Sequence, residues 1–350
     1  MNQQVTKICT DFSDELQQAI GNTASESIYI LTDTNTERCC LPELRTLRIL
    51  DKSHYFCIPA GDEHKTLETA AQIWKFLSEN GASRKSLMIN LGGGMITDIG
   101  GFAAATFKRG IDYINVSTSL LGAVDAATGG KTGINFCGLK NEIGVFAPAR
   151  AVIIHTEFFK TLDFKNQLSG FAEMLKHALI DSKQEWTNLL QFDLEKFDLH
   201  ALKPRLQASF RIKERIVEAD PYEANIRKAL NLGHTFGHAF ESLSYKMNNP
   251  VLHGYAVLWG MLCELYLSHV KLGLQKDVLS QLIHVSNAYY GKFTFDCNDY
   301  ANLLELMTHD KKNESDAINF TLLADMGEIK INQTATKTEI YEVLDWFQSI

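Results

Sequence analysis

Residues 86–98 read SLMINLGGGMITD, and this stretch decides the fold class. It combines an apolar run of strand length, three glycines and the first residues of a segment with helical spacing. A buried strand that turns sharply into a helix is typical of a parallel α/β sheet. The N–H groups and the dipole at such a helix start favour a phosphate, so a dinucleotide pyrophosphate would fit. The stretch is not the G-x-G-x-x-G fingerprint, and a purely structural glycine turn is the alternative.

Other strand-like runs surround this unit: SIYILT from Ser27, HYFCIP from His54, DYINVST from Asp112 and AVIIH from Ala151. Helical spacing between several of them indicates a mostly parallel sheet with helices on its faces. After about residue 158 the spacing is mainly helical, apart from a hairpin predicted in INFTLLADMGEIKIN from Ile318. We therefore predict an α/β domain over residues 1–157 and a mainly α-helical domain over residues 158–350.

The composition is that of an ordinary globular protein, with 45% hydrophobic and 22% charged residues among 350. The formal charge of −8 argues against nucleic acid as a partner, because phosphate backbones are bound by basic faces. Seven scattered cysteines without a C-x-x-C pair indicate thiols in a reducing compartment. The sequence shows neither a signal-peptide pattern nor an apolar run of about 18 residues, so we expect a cytoplasmic protein without a membrane partner.

Residues 125–135 read DAATGGKTGIN, a glycine-dense stretch that we interpret as a loop. It is not a P-loop, because Asp125 stands where that motif requires its first glycine. The glycines permit close approach to a ligand, and Lys131, Lys140 and Asn141 supply donors for an anion. A solvated surface loop is the alternative.

The segment NLGHTFGH places His234 and His238 at i and i+4, on one helix face, as zinc-binding pairs often are. His253 begins a later helical stretch, and Glu173 and Lys176 share a face of an earlier one. Imidazoles and one carboxylate from different helices would make an open Zn²⁺ site with room for substrate. Separate hydrogen-bonded core or surface residues are the alternative.

A third cluster combines Lys213 with Glu223, Arg227 and Asn231, the last three at four-residue intervals. On an unbroken helix these three would share one face, where a Glu–Arg pair is usually a weak surface ion pair. Because the cluster leads directly into His234, the same side chains could instead bind an anion and hydroxyl groups.

Together these motifs resemble the 3-dehydroquinate synthase family of sugar phosphate cyclases, from about residue 29 to about residue 332. The stretches that carry the resemblance are GGGMITDIGGFAAATFKRG, STSLLGAVDAATGGKTGIN, LKNEIGVFAPA, SGFAEMLKHALI, EANIRKALNLGHTFGHAFE, HGYAVLWGM and MTHDKK. The resemblance implies an α/β domain that binds NAD, followed by a mainly helical domain that carries the metal site.

The implied reaction converts 3-deoxy-D-arabino-heptulosonate 7-phosphate into 3-dehydroquinate and phosphate. It is a carbon–oxygen lyase reaction of the shikimate pathway for aromatic amino acid biosynthesis. The implied cofactors are NAD, regenerated within each turnover, and Zn²⁺, with Co²⁺ as an alternative ion. The alternative functions are those of another sugar phosphate cyclase and of a metal- and NAD-dependent polyol dehydrogenase.

The family's zinc ligands fall on Glu173, His234 and His253, which replaces the pairing of His234 with His238. The implied NAD contacts are Asp33, Asn35, Asp62, Lys65, Gly93, Gly94, Met95, Asp98, Thr118, Ser119, Lys140, Phe158, Thr161 and Leu162. The implied substrate contacts are Asp125, Lys131, Asn141, Lys176, Lys213, Glu223, Arg227, Asn231, His238 and one of Lys311 and Lys312. Arg109 matches a residue that the family delivers from the neighbouring subunit, which implies a homodimer.

Some positions depart from the family's usual pattern. Ser117-Thr118-Ser119 stands for Pro-Thr-Thr, Asp62 for Glu, Leu139 for Gly and Tyr255 for Glu. Hydrogen-bonding side chains remain at Thr118, Ser119 and Asp62, so these departures bear on cofactor affinity more than on the chemistry.

Overall fold

The chain divides into two compact units, Met1–Asp163 and Phe164–Ile350. The computed structural model describes residues 5–9, 11–137, 139–308 and 318–350. The sequence places the change from strand to helix spacing at residue 157, and the structure has a short 3-10 segment, Thr156–Thr161, between the last strand of the first unit and the next helix.

The first unit contains eight strands and five helices among the residues described. Strands β1 to β8 are Val5–Ile8, Ser27–Asp33, His54–Ile58, Ser86–Gly92, Asp112–Ser117, Lys131–Phe136, Leu139–Phe146 and Ala151–Ile154. Helices α1 to α5 are Phe12–Gly21, Thr34–Cys39, Leu41–Leu44, Leu67–Glu79 and Gly94–Thr106.

Six of these strands form one parallel sheet in the order β1-β8-β5-β4-β2-β3. The central strand β4 is buried along its whole length, as expected for a parallel sheet with both faces covered. Leu87, Ile89 and Leu91 of β4 pack in the core with Ile114 and Val116 of β5. The α/β prediction is confirmed, and all five strands expected from the sequence are present.

The loop predicted over residues 125–135 is wrong in its second half, because β6 and β7 form an antiparallel hairpin. Gly133 lies opposite Gly144 in this hairpin. A Cβ on Gly133 would come within 2.7 Å of the Ile143 carbonyl oxygen, and one on Gly144 within 2.3 Å of the Thr132 carbonyl oxygen. The glycines that suggested a loop therefore allow two strands to approach closely.

The second unit is mainly helical, as predicted. Helices α6 to α13 are Phe164–Asp181, Lys183–Leu190, Leu199–Ala219, His234–Lys246, His253–Leu272, Lys276–Val285, Tyr300–Thr308 and Lys337–Ser349. The predicted hairpin is also present, as β9 (Asn319–Asp325) and β10 (Glu328–Thr334). Within the described part of the chain, no helix has both the length and the apolarity needed to cross a membrane.

Candidate active site

The carboxyl ends of β2 and β4 form a topological switch point in the first unit's sheet. These strands are neighbours, and Asp33 ends β2 while Gly92 ends β4. The chain goes from β2 to β3 on one side and from β4 to β5 on the other. In open parallel sheets, ligands bind outside such a switch point.

The glycine turn Gly92–Gly94 leads from β4 into α5. Gly93 is the cap residue of α5 and has no side chain to occupy the N–H groups of the first helical turn. A Cβ on Gly93 would lie 2.9 Å from Ser119 Oγ, so a larger residue would collide there. Thr118 N–H donates to the Gly92 carbonyl at 3.0 Å, which places Thr118 and Ser119 beside the turn. The turn therefore leaves backbone donors for a phosphate.

Asp33 and Asn35 lie where α2 begins. Asp33 caps this helix, and its Oδ1 accepts the N–H groups of Asn35 at 2.8 Å and Thr36 at 2.9 Å. Met95 is the second residue of α5, next to the glycine turn.

An ion-pair network around the buried Lys65 joins four of the predicted cofactor residues to Asn141. Lys65 Nζ donates to Asp98 Oδ2 at 3.1 Å and to Asn141 Oδ1 at 2.6 Å, and it lies 3.4 Å from Asp62 Oδ1. Lys140 Nζ lies 3.1 Å from Asp62 Oδ2. Lys140 is a predicted cofactor contact and Asn141 a predicted substrate contact, and both lie on the β6–β7 hairpin. Their side chains connect this hairpin to the loop before α4 and, through Lys65, to α5.

These contacts shift the pKa values of the network. Burial alone would raise the pKa of Asp62, but Lys65 and Lys140 lower it below its usual value. Burial raises the pKa of Asp98 more than Lys65 lowers it. Burial would lower the pKa of Lys65, but Asp98 and Asp62 raise it, so Lys65 stays charged. Asn135, which sequence reasoning did not select, completes the network because its Nδ2 donates to Asp62 Oδ2 at 3.2 Å.

The remaining predicted positions of the first unit are more dispersed. Asp125 lies in the helical turn Gly122–Ala126, and Lys131 is the exposed first residue of β6. The Phe158 ring packs edge-on against Phe12 at 5.3 Å in the core, so only its backbone could serve a cofactor. The Thr161 hydroxyl donates to the Phe158 carbonyl at 2.9 Å.

Leu162 directly follows the 3-10 segment, and its N–H donates to the Phe159 carbonyl at 3.2 Å. Arg109 is exposed after α5. It and Lys108 have left-handed φ values of 68° and 49°.

The second unit brings a carboxylate and two imidazoles together. Glu173 lies fully buried in α6, whereas His234 and His253 are the first residues of α9 and α10. Glu173 Oε1 lies 3.7 Å from His234 Nε2 and 3.5 Å from His253 Nε2. One ligand atom from each of the three residues lies within 4.8 Å of the others. Two ligands of one tetrahedral Zn²⁺ are about 3.3 Å apart, and the two contacts of Glu173 Oε1 are close to that separation.

Glycines allow the helices to approach closely enough for this convergence. A Cβ on Gly254 would lie 1.9 Å from the Ser169 carbonyl oxygen of α6. A Cβ on Gly260 of α10 would lie 2.0 Å from the Gly233 carbonyl oxygen, just before α9. Side chains at these positions would separate the helices that carry Glu173, His234 and His253.

Both imidazoles are oriented through their Nδ1 atoms. His253 Nδ1 lies 3.2 Å from Glu241 Oε2, and His234 Nδ1 lies 3.2 Å from the Leu232 carbonyl oxygen. Since both partners are acceptors, each Nδ1 carries a proton and each Nε2 is directed to the ligand position. Burial lowers the pKa of His253, but Glu241 and Glu173 raise it to about 10.

His238 lies beside this group. Its ring centroid is 5.2 Å from that of His234 and 5.8 Å from that of His253. Lys176 is buried and forms an ion pair with Glu173 one turn earlier on α6. The spacing-based pair His234 and His238 thus shares a face, while the three grouped ligand atoms include His253 instead of His238.

Glu223, Arg227 and Asn231 do not lie on one unbroken helix, which was the condition for a shared face. Glu223 lies in a turn with φ of 60°, and residues 226–231 form a 3-10 helix. Asn231 Nδ2 nevertheless donates to Glu223 Oε1 at 2.8 Å. Asp220, which the sequence did not single out, holds the turn because its Oδ2 accepts the Arg227 N–H at 3.1 Å. Arg227 is buried.

Lys213 is also buried, on α8. Lys311 and Lys312 lie outside the described residues.

Comparisons with known proteins agree with one another. The family model for the 3-dehydroquinate synthase N-terminal domain matches residues 55–169, and the C-terminal one matches residues 170–313. A 3-dehydroquinate synthase of Parabacteroides distasonis is 51% identical over 348 residues, which cover 99% of each chain.

Two solved cyclase structures share the fold. The structure of 2-epi-5-epi-valiolone synthase from Streptomyces hygroscopicus, with NAD⁺ and Zn²⁺ bound, has a TM-score of 0.88 at 22% identity and covers 99% of this chain and 97% of its own. A 2-deoxy-scyllo-inosose synthase with carbaglucose-6-phosphate, NAD⁺ and Co²⁺ has a TM-score of 0.85 at 22% identity and covers 97% and 95%.

Proposed function

The chain belongs to the 3-dehydroquinate synthase family, and from this premise we propose that it converts 3-deoxy-D-arabino-heptulosonate 7-phosphate into 3-dehydroquinate and phosphate. This is the carbon–oxygen lyase step of the shikimate pathway. The observation that carries the proposal is the convergence of Glu173, His234 and His253, in a chain 51% identical over nearly its whole length to a 3-dehydroquinate synthase.

The second unit's donor set fits a divalent ion. One carboxylate oxygen and two imidazole Nε2 atoms, each imidazole backed by an acceptor at Nδ1, are the ligands expected at a catalytic zinc site. Glu173, His234 and His253 would hold Zn²⁺, or Co²⁺ as in one of the related structures. When bound, such an ion supplies a Lewis acid that polarises adjacent substrate hydroxyls.

The first unit fits NAD. The glycine turn at the start of α5 offers backbone donors to the pyrophosphate, and Asp33 and Asn35 lie beyond the neighbouring strand. The network of Asp62, Lys65, Asp98 and Lys140 would fix the surrounding loops. When bound, NAD would supply a hydride acceptor that is regenerated within each turnover, without net oxidation of the substrate.

Several cations would bind the two anionic groups of the substrate. Lys213 and Arg227 are buried, and cationic donors of these two kinds suit a carboxylate better than a neutral hydroxymethyl group. Lys131 and Asn141 would add donors for the phosphate. His238, beside the three ligand residues, and Glu223, held by Asn231, are the side chains proposed to transfer protons.

The substrate's carboxylate distinguishes this reaction from that of sister cyclases. Arg227→Ala should lower kcat/KM for the heptulosonate phosphate by about thirtyfold to several thousandfold, the effect of losing roughly 2 to 5 kcal/mol of charge-assisted contact. Arg215→Ala is the matched control, because Arg215 is an exposed arginine that pairs with Asp181. The unsubstituted protein should release little phosphate from sedoheptulose 7-phosphate or glucose 6-phosphate. Equal rates on these sugars would transfer the assignment to a sister cyclase.

The proposed assembly is a homodimer in which Arg109 completes the neighbouring site, and the proposed location is the cytoplasm. Arg109 follows α5 in a left-handed backbone conformation and its side chain is exposed, which supports a role outside its own subunit.

A further inference from the structure

Glu241 is a buried carboxylate to which neither the spacing argument nor the family resemblance gave a role. It lies on α9, one turn after His238, and is 2% exposed. Its Oε2 lies 3.2 Å from Nδ1 of His253, the first residue of α10. A carboxylate at this depth is costly unless it is paired, so its position against one imidazole requires an explanation.

The contact fixes which nitrogen of His253 can bind an ion. A carboxylate only accepts hydrogen bonds, so in the neutral ring that a metal ligand requires, the proton lies on Nδ1 and Nε2 keeps its lone pair. That Nε2 is the atom 3.5 Å from Glu173 Oε1. The two carboxylates thus lie on opposite sides of one ring, one at the ligand position and one behind it.

We propose that Glu241 is a positioning residue for the metal ligand His253. It orients the ring, selects the tautomer and makes Nε2 a stronger donor through its negative charge. This inference rests on the proposed function, because it takes Glu173, His234 and His253 as the ligand set.

The other imidazole provides an internal comparison. His234 Nδ1 faces the neutral carbonyl of Leu232 at 3.2 Å, and this partner belongs to the backbone two residues earlier. Local chain geometry therefore orients His234, whereas His253 depends on a side chain from a different helix. Loss of the Glu241 carboxylate should weaken the ion's hold at His253.

The test is metal affinity, measured on protein stripped of metal and titrated with Zn²⁺ against a competing chelator, without NAD or substrate. Glu241→Gln keeps the volume and one acceptor oxygen but removes the charge, and it should weaken binding roughly tenfold. Glu241→Ala removes both and should weaken it by up to about a hundredfold. Ser209→Ala is the matched control, because its hydroxyl contacts Nδ1 of His177, a buried imidazole outside the ligand set, at 2.8 Å. It should leave metal affinity unchanged.

A second measurement separates positioning from general loss of structure. The visible spectrum of the Co²⁺-loaded protein reports the ligand geometry, so it should change in Glu241→Ala and stay the same in Ser209→Ala. Thermal unfolding of the metal-free variants shows that each one folds.

Metal binding by His253→Ala distinguishes an error in the ligand set from an error in the role of Glu241. If His253→Ala binds Zn²⁺ as tightly as the unsubstituted protein, the ligand set is wrong and so is the role of Glu241. If His253→Ala loses the ion but Glu241→Gln and Glu241→Ala both bind it within about twofold of the unsubstituted protein, the ligand set stands and the positioning role is overturned.

Discussion

His253 Nε2 lies 3.5 Å from Glu173 Oε1, although the two residues belong to different helices. The contact depends on Gly254, whose missing side chain lets the start of α10 lie against the Ser169 carbonyl of α6. A carboxylate buried to this depth needs a positive partner. Lys176 supplies one charge, and a divalent ion between Glu173, His234 and His253 would supply more.

Alanine at any one of Glu173, His234 or His253 should remove the metal and turnover together. Each residue would provide one of only three protein ligands at an open catalytic site, so its loss leaves too few. His238→Ala is the control: it should keep the metal and lose turnover, because its ring lies beside the group. The metal content of the purified variants tests this ligand set. Full metal content in His253→Ala together with no metal in His238→Ala would instead support the pair His234 and His238 that spacing predicts.

Gly254→Ala should destabilise the protein by about 1 to 3 kcal/mol and also lower its metal content. The new Cβ would lie 1.9 Å from a backbone oxygen, which cannot move as a flexible side chain can. Gly21→Ala is the matched control, because a Cβ there has nothing within 4 Å, and stability should change by less than about 1 kcal/mol. Urea unfolding measures both, and equal midpoints would show that the close approach of α10 to α6 is not required.

Lys65→Met should cost about 3 kcal/mol at neutral pH, because it leaves Asp98 without its buried cation. The exposed Lys75, which pairs with Glu79, is the control, and Lys75→Met should change stability by less than about 0.5 kcal/mol. Adding Asp98→Asn to Lys65→Met should recover much of the loss. Urea unfolding of the three variants provides the test, and a double variant no more stable than Lys65→Met would mean that the charge of Asp98 is not the cause.

The stability loss in Lys65→Met should also depend on pH and should become smaller as the pH falls. Burial already raises the pKa of Asp98, and removing Lys65 removes the charge that lowers it. A folded-state pKa above the unfolded value means that the folded protein binds the proton more tightly. The deficit should therefore be full above the raised pKa and shrink as the pH falls toward about 4, the ordinary value for an aspartate. A deficit that grows on acidification would contradict this account.

The sequence identified the sheet but missed part of it, for physical reasons. Five strands were predictable because they are short runs rich in apolar, β-branched and aromatic residues, and four of them are mostly buried. The short strand β1 carries Lys7 and lies partly exposed at the sheet edge. The β6–β7 hairpin was not predicted because Gly133 and Gly144 lower strand propensity. The same glycines allow the hairpin to form, because the absence of their side chains lets the two strands approach closely.

Residue spacing predicted only part of the candidate site. His234 and His238 share a helix face, so local periodicity paired them. The contact between Glu173 and His253 depends on how α6 and α10 pack, which residue spacing does not encode. Glu241 had one weak signal: an acidic residue on the buried face of an amphipathic helix, three positions after His238.

Arg109→Ala and Lys131→Ala should each be inactive alone and partly active when mixed. If Arg109 acts in the neighbouring subunit, each heterodimer has one intact site, so random exchange restores about a quarter of the sites. The phosphate release rate after demonstrated subunit exchange is the measurement. An absence of recovery would mean that each subunit uses its own Arg109.

The most direct test supplies the protein with 3-deoxy-D-arabino-heptulosonate 7-phosphate, Zn²⁺ and far less NAD than substrate, and follows phosphate and NADH together. Phosphate and 3-dehydroquinate should form in equal amounts, well beyond the NAD supplied, with no lasting rise in NADH absorbance. NAD should be required but not consumed, because the hydride returns within each turnover. If NADH accumulates in proportion to substrate without phosphate release, the proposed lyase reaction is wrong. That result would indicate a metal- and NAD-dependent polyol dehydrogenase.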